Sequence, residues 1–344
     1  MDSGVLEGEV LRLVQETYGL WEEARVGFSW RSYYPNHTLR IRDLCLAMAE
    51  PEGADPRLLT LAALLHDVTK RYDGAIQKDS EGGDLLNEEG LWLNETVLPA
   101  RRNRVTNLYE RLGLRGSVHH VSGAAIAEVV LRELGLPSVD AERVAEVIRG
   151  HLRPEGLSEE EDRRRYRLAE TRVLHDADVI DPNVGYPAFY RNVQIHAGFA
   201  LERGEALTVE QYLSSMARWV AMKEEFSDRT LTATGRAVSV ARQQSCRDLL
   251  ALLQGEAADP QTNLRFGVMG CVGVLLTEAE DPSLQGHLAR LRDAWLPEAA
   301  AAARASTGEA RAAALAAHHR AEAFVAEMER QVRAQDVARM PVSA

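Results

Sequence analysis

The sequence lacks the features of a secreted or membrane-spanning protein. Its 344 residues include three cysteines, at positions 45, 246 and 271, whose spacing fits neither a disulfide framework nor a cysteine metal site. The longest apolar run, 267–276, is well short of the about 20 residues that a membrane helix needs. The first residues have neither the basic nor the apolar region of a signal peptide. We therefore expect a soluble cytoplasmic protein.

Basic residues are scarce relative to acidic ones. The chain has 40 Lys and Arg against 52 Asp and Glu, which gives a formal net charge of -12 and a pI near 5.4. Such an acidic protein is poorly suited to present the broad basic face that binds duplex nucleic acid. The charge balance favours a small phosphorylated metabolite or a nucleotide as the partner.

Few segments show the alternation of apolar and polar residues that is typical of β-strands. Apolar residues recur instead at helical spacing along the whole chain. We therefore predict an all-α fold. Gly, Asp and Pro cluster at 255–260, which indicates a domain boundary. The predicted units are an N-terminal helical segment at 1–29, a main helical domain at 30–256 and an Ala-rich helical extension at 257–344. The extension would pack on the main domain or form a homodimer through its helices, and its adjacent His318 and His319 are predicted to be surface residues.

His66 and Asp67 follow a strongly apolar helix. Asp55 can cap that helix and Pro56 suits its first position, so it should begin just before the apolar run 58–65. Apolar residues surround nearly the whole helix, so its end should lie in the interior. A buried carboxylate is costly unless a cation accompanies it, and this pair suits Mn, Fe, Co, Ni or Zn. The alternative is an ordinary helix end, with Asp67 as a cap and His66 making one hydrogen bond.

Further His and Asp residues extend apolar helix faces. His37 lies on the apolar face of one helix, and His151 ends the apolar stripe of another. A helix at 118–134 carries His119 and His120 in its first turn, and the periodicity does not decide which one faces inward. Asp178 follows the apolar stripe of a later helix. Each residue alone fits a core histidine or a cap, but their recurrence on successive helices favours a metal site within a bundle.

The order of these residues resembles the signature of the HD superfamily of metal-dependent phosphohydrolases. His37, then the pair His66 and Asp67, then Asp178 match its H…HD…D pattern, and the stretch 63–70 is similar to its central motif. The resemblance extends over about 30–256. It implies an all-helical fold with one or two divalent ions, which would be Mn, Fe, Co, Ni, Mg or Zn.

The resemblance also implies roles for individual residues. Members with two metals hold the second ion with additional histidines, and the small pair 123–124 favours His119 as one of them. Asp67 would bridge the ions and orient the attacking water, which a divalent ion activates by lowering its pKa from about 15.7 toward about 7. The implied metal ligands are His37, His66, Asp67, His119, His151 and Asp178, with His120 and Asp176 as alternates.

Basic residues near the motif are candidates for binding phosphate. Lys70 lies one helical turn beyond Asp67 and would place a positive charge on a phosphate at the metals. The alternative is a solvated surface lysine. Residues 74–117 form an insert that would be a lid or a substrate-binding wall, or else a solvated surface helix. The predicted substrate-binding residues are Arg71, Lys78, Arg101, Arg102 and Arg104.

Three functions are compatible with this pattern. The first is a metal-dependent phosphohydrolase that acts on a nucleotide or another small phosphorylated metabolite, with Asp67 and Lys70 as catalytic residues. The second is an HD-type diiron oxygenase, against which Lys70 argues because the hydrolases commonly carry Lys there. The third is a non-catalytic nucleotide-binding protein, for which a complete ligand set is less expected.

Overall fold

A computed structural model describes residues 3–21, 33–87, 92–154, 156–277 and 283–337, and every structural statement below concerns these residues. Residues 1–2 and 22–29 of the predicted N-terminal segment lie outside them. The described chain is helical apart from one small antiparallel sheet of two strands. The prediction of an all-α fold is confirmed.

The first part of the chain carries eight helices and both strands. Their bounds are α1 (Ser3–Tyr18), α2 (Tyr33–Ala49), α3 (Pro56–Leu65), β1 (Asp73–Ile76), β2 (Asn94–Thr96), α4 (Arg104–Arg111), α5 (His119–Glu133), α6 (Ser138–Gly150), α7 (Glu159–Arg165) and α8 (Ala169–Asn183). A short 3-10 helix, Lys70–Tyr72, precedes β1.

The second part of the chain is helical throughout its described residues. Its helices are α9 (Gly185–Glu202), α10 (Val209–Met222), α11 (Ala233–Glu256), α12 (Pro260–Phe266), α13 (Val268–Leu275), α14 (Leu284–Arg290), α15 (Leu296–Ala305) and α16 (Gly308–Val332). A 3-10 helix, Glu224–Arg229, follows α10, and a π-helical turn, Leu291–Trp295, joins α14 to α15.

Helix α3 is the centre of the first hydrophobic core. It begins as its sequence predicts, because the Asp55 carboxylate accepts a hydrogen bond of 2.8 Å from the backbone N–H of Arg57, with Pro56 at the first helical position. Seven of its ten residues are buried, and it contacts α1, α2, α5, α6 and α8. The end of α3 therefore opens into the interior of the bundle.

A second hydrophobic core starts directly after α8. It joins α9, α10 and α11 to α13, α14 and α16, so that Leu253 of α11 belongs to the same apolar cluster as Val268 and Met328. The domain limit predicted at residue 256 falls inside this cluster. That limit stays a prediction. Val184 is in the first cluster and Tyr186 in the second, while Val238 and Val337 from the later helical part of the chain belong to the first cluster.

The predicted insert at 74–117 contains both strands and α4. Ile76 of β1 is paired with Asn94 of β2. In the segment between the two strands, an isolated β-bridge joins Lys78 to Asp84. Helix α4 then contacts α1 and α5. Among the described residues, no helix combines the length and the apolar character needed to cross a membrane.

Candidate metal centre

Five helices deliver the predicted ligands to one place. His37 lies near the start of α2, and Asp178 lies in α8. The other ligands lie at helix ends, since His66 and His151 directly follow α3 and α6, and His119 begins α5. Ends of packed helices can approach more closely than their central turns, so imidazole and carboxylate groups converge here from separate directions.

The two carboxylate oxygens of Asp67 face different partners. Oδ2 lies 3.5 Å from Nε2 of His66 and 3.8 Å from Nε2 of His37. Oδ1 lies 3.4 Å from Nε2 of His119 and 3.8 Å from Nε2 of His151. Asp67 therefore stands between two groups of histidines, with one oxygen directed at each.

Asp178 completes the first group. Its Oδ1 lies 3.3 Å from Nε2 of His37 and 3.6 Å from Nε2 of His66. The ligand atoms within each group lie within 4.8 Å of one another, which is close enough for one metal ion to bind them all. One group is His37, His66, Asp67 and Asp178, and the other is Asp67, His119 and His151.

Backbone carbonyls orient His66 and His151 in the same way. The Nδ1–H of His66 donates to the carbonyl of Ala63, and that of His151 donates to the carbonyl of Ile148, both at 2.7 Å. With Nδ1 as the donor, the lone pair of each ring lies on Nε2. Both Nε2 atoms are buried and have no hydrogen-bond partner among the described residues. Such orphaned acceptors are costly, so a cation fits here.

Carboxylates orient the other two histidines. Nδ1 of His37 lies 2.7 Å from Oδ2 of Asp181, which also accepts a hydrogen bond of 2.9 Å from Arg40. Nδ1 of His119 is hydrogen-bonded to the Asp73 carboxylate. These partners direct Nε2 of each ring toward the cluster, in the arrangement that metal-bound histidines adopt in proteins.

The buried carboxylates of the cluster remain ionised. Burial alone would raise the pKa of Asp67, but Lys70, His66 and His119 outweigh it and hold that pKa well below its usual range. Burial also acts on Asp178, and the close contacts of its carboxylate with His37 and His66 outweigh it and hold the pKa well below its usual range. Both oxygens of Asp67 are buried without a hydrogen-bond partner among the described residues, so its negative charge suits a bound cation.

The histidines of the cluster differ in charge. Burial is the main cause that lowers the pKa of His151 to about 3, which leaves its ring neutral and able to bind a metal. Burial also lowers the pKa of His37, but hydrogen bonds with Asp178 and Asp181 outweigh it and raise the value to about 9.

The two alternate ligands lie outside both groups. His120 is buried beside the cluster, with its ring centre 6.0 Å from that of His151, but it belongs to neither set of converging ligand atoms. Asp176 instead accepts hydrogen bonds from the backbone N–H and the hydroxyl of Thr232, at 2.8 and 2.6 Å. It therefore fixes the start of α11.

A cavity of about 730 Å³ contains the exposed edge of the cluster, with His37, Asp67, Lys70 and Asp178 among its lining residues. Nζ of Lys70 lies 3.5 Å from Oδ1 of Asp67 and 3.4 Å from Nε2 of His119. Burial lowers the pKa of Lys70, but the charges of Asp67 and Asp178 outweigh it and raise the pKa. Lys70 is thus a cation inside the cavity and not a solvated surface lysine.

The predicted substrate-binding cations lie elsewhere. Most of them have partners of their own: Arg71 covers the Trp21 ring, Lys78 pairs with Asp84, Arg101 is hydrogen-bonded to Gly19, Arg102 pairs with Glu110 and Arg104 pairs with Glu133. None of the five lines the cavity. The insert therefore does not bring its arginines to the cluster.

Other cations line the cavity and were missed in the sequence. They are Arg153, Arg191 and Arg229, accompanied by the Phe226 ring. Arg153 lies two residues after His151, which is a usable local signal. Arg191 and Arg229 lie beyond the recognisable motifs, and only the contacts of α9 and of the 3-10 helix after α10 bring them to the cavity.

A third group of residues that could hold a metal ion lies on α16, away from the cavity. It contains His318, His319 and Glu322, and His319 and Glu322 are exposed. The prediction of a surface position holds for His319 and is wrong for His318, which is 5% exposed because its ring packs toward the carbonyl of Leu296 at 3.0 Å.

Residues 34–183 match the family model of the HD domain. All six predicted ligands lie within this match, in the order His, His-Asp, His, His, Asp along the chain. This region of the chain is therefore similar to the HD domain, and the cluster of histidines and aspartates described above is a site that could hold a divalent ion.

Several solved structures resemble the chain. The structure of YpgQ from Bacillus subtilis is 19% identical, with a TM-score of 0.41, and the match covers 76% of this chain and 98% of YpgQ. YpgQ in complex with ADP gives 20% identity and a TM-score of 0.40 over the same shares. A predicted HD superfamily hydrolase from an uncultured Thermotogales bacterium is 18% identical, with a TM-score of 0.38, over 72% of this chain and 91% of that one.

A curated relative matches a shorter segment. The tRNA (cytidine(56)-2'-O)-methyltransferase of Thermoplasma volcanium is 30% identical over 121 residues, which are 35% of this chain. The match spans about 30% of the length of that relative. The name of this relative therefore describes a protein of which this chain matches only about 30%.

Proposed function

We propose that the protein is a metal-dependent phosphohydrolase, which cleaves a phosphate ester or phosphoanhydride of a nucleotide or another small phosphorylated metabolite. The position of Asp67 carries this proposal. Its side chain is 1% exposed, and each of its oxygens faces a separate histidine group. A carboxylate shared in this way suits two ions that act on one phosphate.

The chain offers a ligand set to each ion. His37, His66, Asp67 and Asp178 would hold the first, and Asp67, His119 and His151 would hold the second. Bound divalent ions supply an acidified water and positive charge for the phosphate oxygens. The mixture of imidazole and carboxylate ligands suits several divalent metals.

Lys70 supplies a further positive charge at the cluster. Its ammonium lies within 3.5 Å of Asp67 while still lining the cavity, so it can donate a hydrogen bond to a phosphate oxygen at that place. Tyr34 lines the same cavity, and burial raises the pKa of its phenol, which remains protonated as a donor. Both groups would orient the substrate and neutralise charge on it.

Metal analysis followed by a phosphate-release screen tests this proposal. Protein purified without chelator or added metal should contain a divalent metal or take one up. It should then release phosphate from at least one compound among mononucleotides, dinucleoside polyphosphates and sugar phosphates. Failure to bind any divalent metal contradicts the proposal. Oxygen consumption by the iron-loaded protein, without phosphate release, would support the oxygenase alternative instead.

A further inference from the structure

The 3-10 helix after α10 carries a row of two cations and one aromatic ring. A 3-10 helix has three residues per turn, so Lys223, Phe226 and Arg229 lie on one face of the segment that contains Glu224–Arg229. Nζ of Lys223 lies 4.4 Å from the centre of the Phe226 ring, and Cζ of Arg229 lies 4.6 Å from it. Both positive charges are held against the same ring.

This row faces the cavity that contains the His-Asp cluster. Phe226 and Arg229 line that cavity together with Asp178. Lys223 contacts the lining residue Asn183 at the edge of the cavity. Its Nζ donates a hydrogen bond of 2.7 Å to Oδ1 of Asn183. A ligand at the cluster can therefore extend to the row without leaving the cavity.

The row is fixed relative to α8, which carries Asp178. Nε2 of His175 in α8 lies 3.2 Å from the carbonyl oxygen of Arg229. Asp176 in the same helix accepts hydrogen bonds from the backbone N–H groups of Leu231 and Thr232, at 2.7 and 2.8 Å. The end of the 3-10 helix is thus attached directly to the helix that holds a candidate metal ligand.

Arg191 of α9 also lines the cavity, and its positive charge acts on Lys223. Burial, together with the charges of Arg191 and Arg229, lowers the pKa of Lys223 to about 8. One exposed carboxylate, Glu225, lies 3.0 Å from Arg229. The lining carboxylate Asp228 pairs with Arg236. Mutually repelling cations beside an open cavity are an arrangement that an anionic ligand stabilises.

We propose that Arg191, Lys223 and Arg229 form a second anion subsite, so that the substrate carries at least one phosphoryl group beyond the group bound at the His-Asp cluster. This inference rests on the proposed function, because the cluster supplies the first phosphate position. The cavity of about 730 Å³ lies within the roughly 300–1,000 Å³ range of small-molecule sites, which accommodates a nucleoside diphosphate.

The chemistry of the subsite favours a phosphoryl group over a neutral substituent. Arginine forks bind phosphate oxygens through paired hydrogen bonds, and the Lys223 ammonium adds a point charge. Cations already occupy the surroundings of the Phe226 ring, so its role is to hold them in place. The subsite therefore recognises charge, and its specificity should depend on the number of phosphoryl groups.

A comparison of nucleotides that differ by one phosphate tests the inference. We suggest calorimetric titration of the full-length protein, at saturating Mn²⁺, with non-hydrolysable phosphonate analogues of AMP and ADP. The ADP analogue should bind about tenfold more tightly than the AMP analogue. Arg191→Gln should weaken binding of the ADP analogue by about tenfold and change binding of the AMP analogue by less than twofold.

Three further variants sharpen the comparison. Arg229→Gln, at an exposed position, should act like Arg191→Gln and serves if the latter does not fold. Glu225→Gln removes the carboxylate beside Arg229, so it should strengthen binding of the ADP analogue. Arg218→Gln, exposed on α10, is the matched control and should leave both affinities unchanged.

The outcomes separate this inference from the proposed function. If the wild type takes up no Mn²⁺, the proposed function fails and the inference fails with it. Normal Mn²⁺ uptake with equal affinity for the two analogues contradicts the inference alone. An equal loss of both affinities in Arg191→Gln and Arg229→Gln would also overturn it, because a second subsite acts only on the second phosphate.

Discussion

Asp67 combines two properties that oppose each other in a protein interior. It is 1% exposed and yet ionised, because Lys70 and the neighbouring histidines offset the cost of burial. Neither of its oxygens has a hydrogen-bond partner among the described residues. At the scale of single residues, this unsatisfied charge is the strongest indication of a cation at the cluster.

Lys70 allows substrate binding to be separated from metal binding. Lys70→Gln retains a side chain of similar reach but removes the positive charge in the cavity. We expect the variant to keep its bound metal and to lose about 100-fold in kcat/KM for phosphate release, by analogy with the loss of one charge-stabilising donor in other enzymes. Loss of metal together with activity would show that Lys70 acts on the cluster and not on the substrate.

Lys223 should make stability depend on pH. Its pKa is lowered to about 8 in the folded protein, against about 10.4 in an unfolded chain, so the unfolded state binds more protons between these values. The wild type should therefore gain stability relative to Lys223→Met as pH rises from 7 to 10. Because Lys223 is partly exposed, we expect a change of only about 1 kcal/mol.

Urea unfolding of both proteins at the two pH values measures this change. If the free energies of unfolding of the wild type and Lys223→Met differ by the same amount at pH 7 and pH 10, the positively charged surroundings assigned to Lys223 are contradicted. Arg218→Gln again serves as the control, since its difference from the wild type should not vary with pH.

Most residues of the two converging groups could be picked out in the sequence because they have a local signal. His37 and His151 continue apolar stripes of their own helices, and His66 and Asp67 follow an apolar helix with a clear start. Helical periodicity did not decide between His119 and His120, and only the small pair 123–124 of the family resemblance favoured His119. The orientation of that ring depends on a hydrogen bond that His119 donates to the Asp73 carboxylate in β1. Arg191 and Arg229 were missed because only tertiary contacts bring them to the cavity.

At the scale of helices, close approach of α6 and α8 positions the cluster. A Cβ atom at Gly150, the residue before His151, would lie 2.3 Å from Cγ2 of Thr171 in α8. Thr171 is buried and β-branched, so it has little freedom to move. Glycine at this position therefore lets the end of α6 bring His151 against the other ligands.

Gly150→Ala should destabilise the protein by about 2 kcal/mol through this overlap. Gly255→Ala is the matched control, because no atom outside its immediate surroundings lies within 4 Å of the added Cβ. Because Gly255 lies in α11 and alanine is the better helix former, Gly255→Ala should raise the free energy of unfolding by about 0.5 kcal/mol. Thermal unfolding of both variants measures the difference, and equal stabilities would contradict the close approach of α6 and α8.

For the insert at 74–117, the sequence did not predict the direction of the arginine side chains. Its polar composition suggested a lid with arginines directed at phosphate, whereas Arg102 and Arg104 pair with Glu110 and Glu133 at the surface. Composition identifies a segment as exposed, but the direction of its side chains depends on the partners that surround it. The same limit applies to His318, whose burial results from contact with a neighbouring helix.

At the scale of the whole molecule, two apolar clusters are joined through α8 and α9. The second cluster depends on α13 and α16, which supply Val272, Phe324 and Met328 to it. A truncated chain ending at residue 256 would lose these side chains. Since each fully buried apolar side chain contributes about 1.5–3 kcal/mol, their loss is comparable with the 5–15 kcal/mol of a typical domain.

We therefore expect the chain 1–256 to unfold without a cooperative transition and to bind a hydrophobic dye. Calorimetry and dye fluorescence of this truncated protein, next to the full-length chain, measure both effects. A cooperative transition close to that of the full-length protein would instead support the domain limit predicted at residue 256.

Metal stoichiometry of three proteins tests the shared role of Asp67 most directly. Every protein should carry His319→Ala, which disrupts the group of His318, His319 and Glu322 on α16. His196→Ala in the same background is the control, because it changes a histidine outside the cluster. We predict two tightly bound divalent ions per chain in this background, one in His119→Ala and none in Asp67→Ala. Two ions retained in Asp67→Ala, or none in the parent protein, would contradict the account.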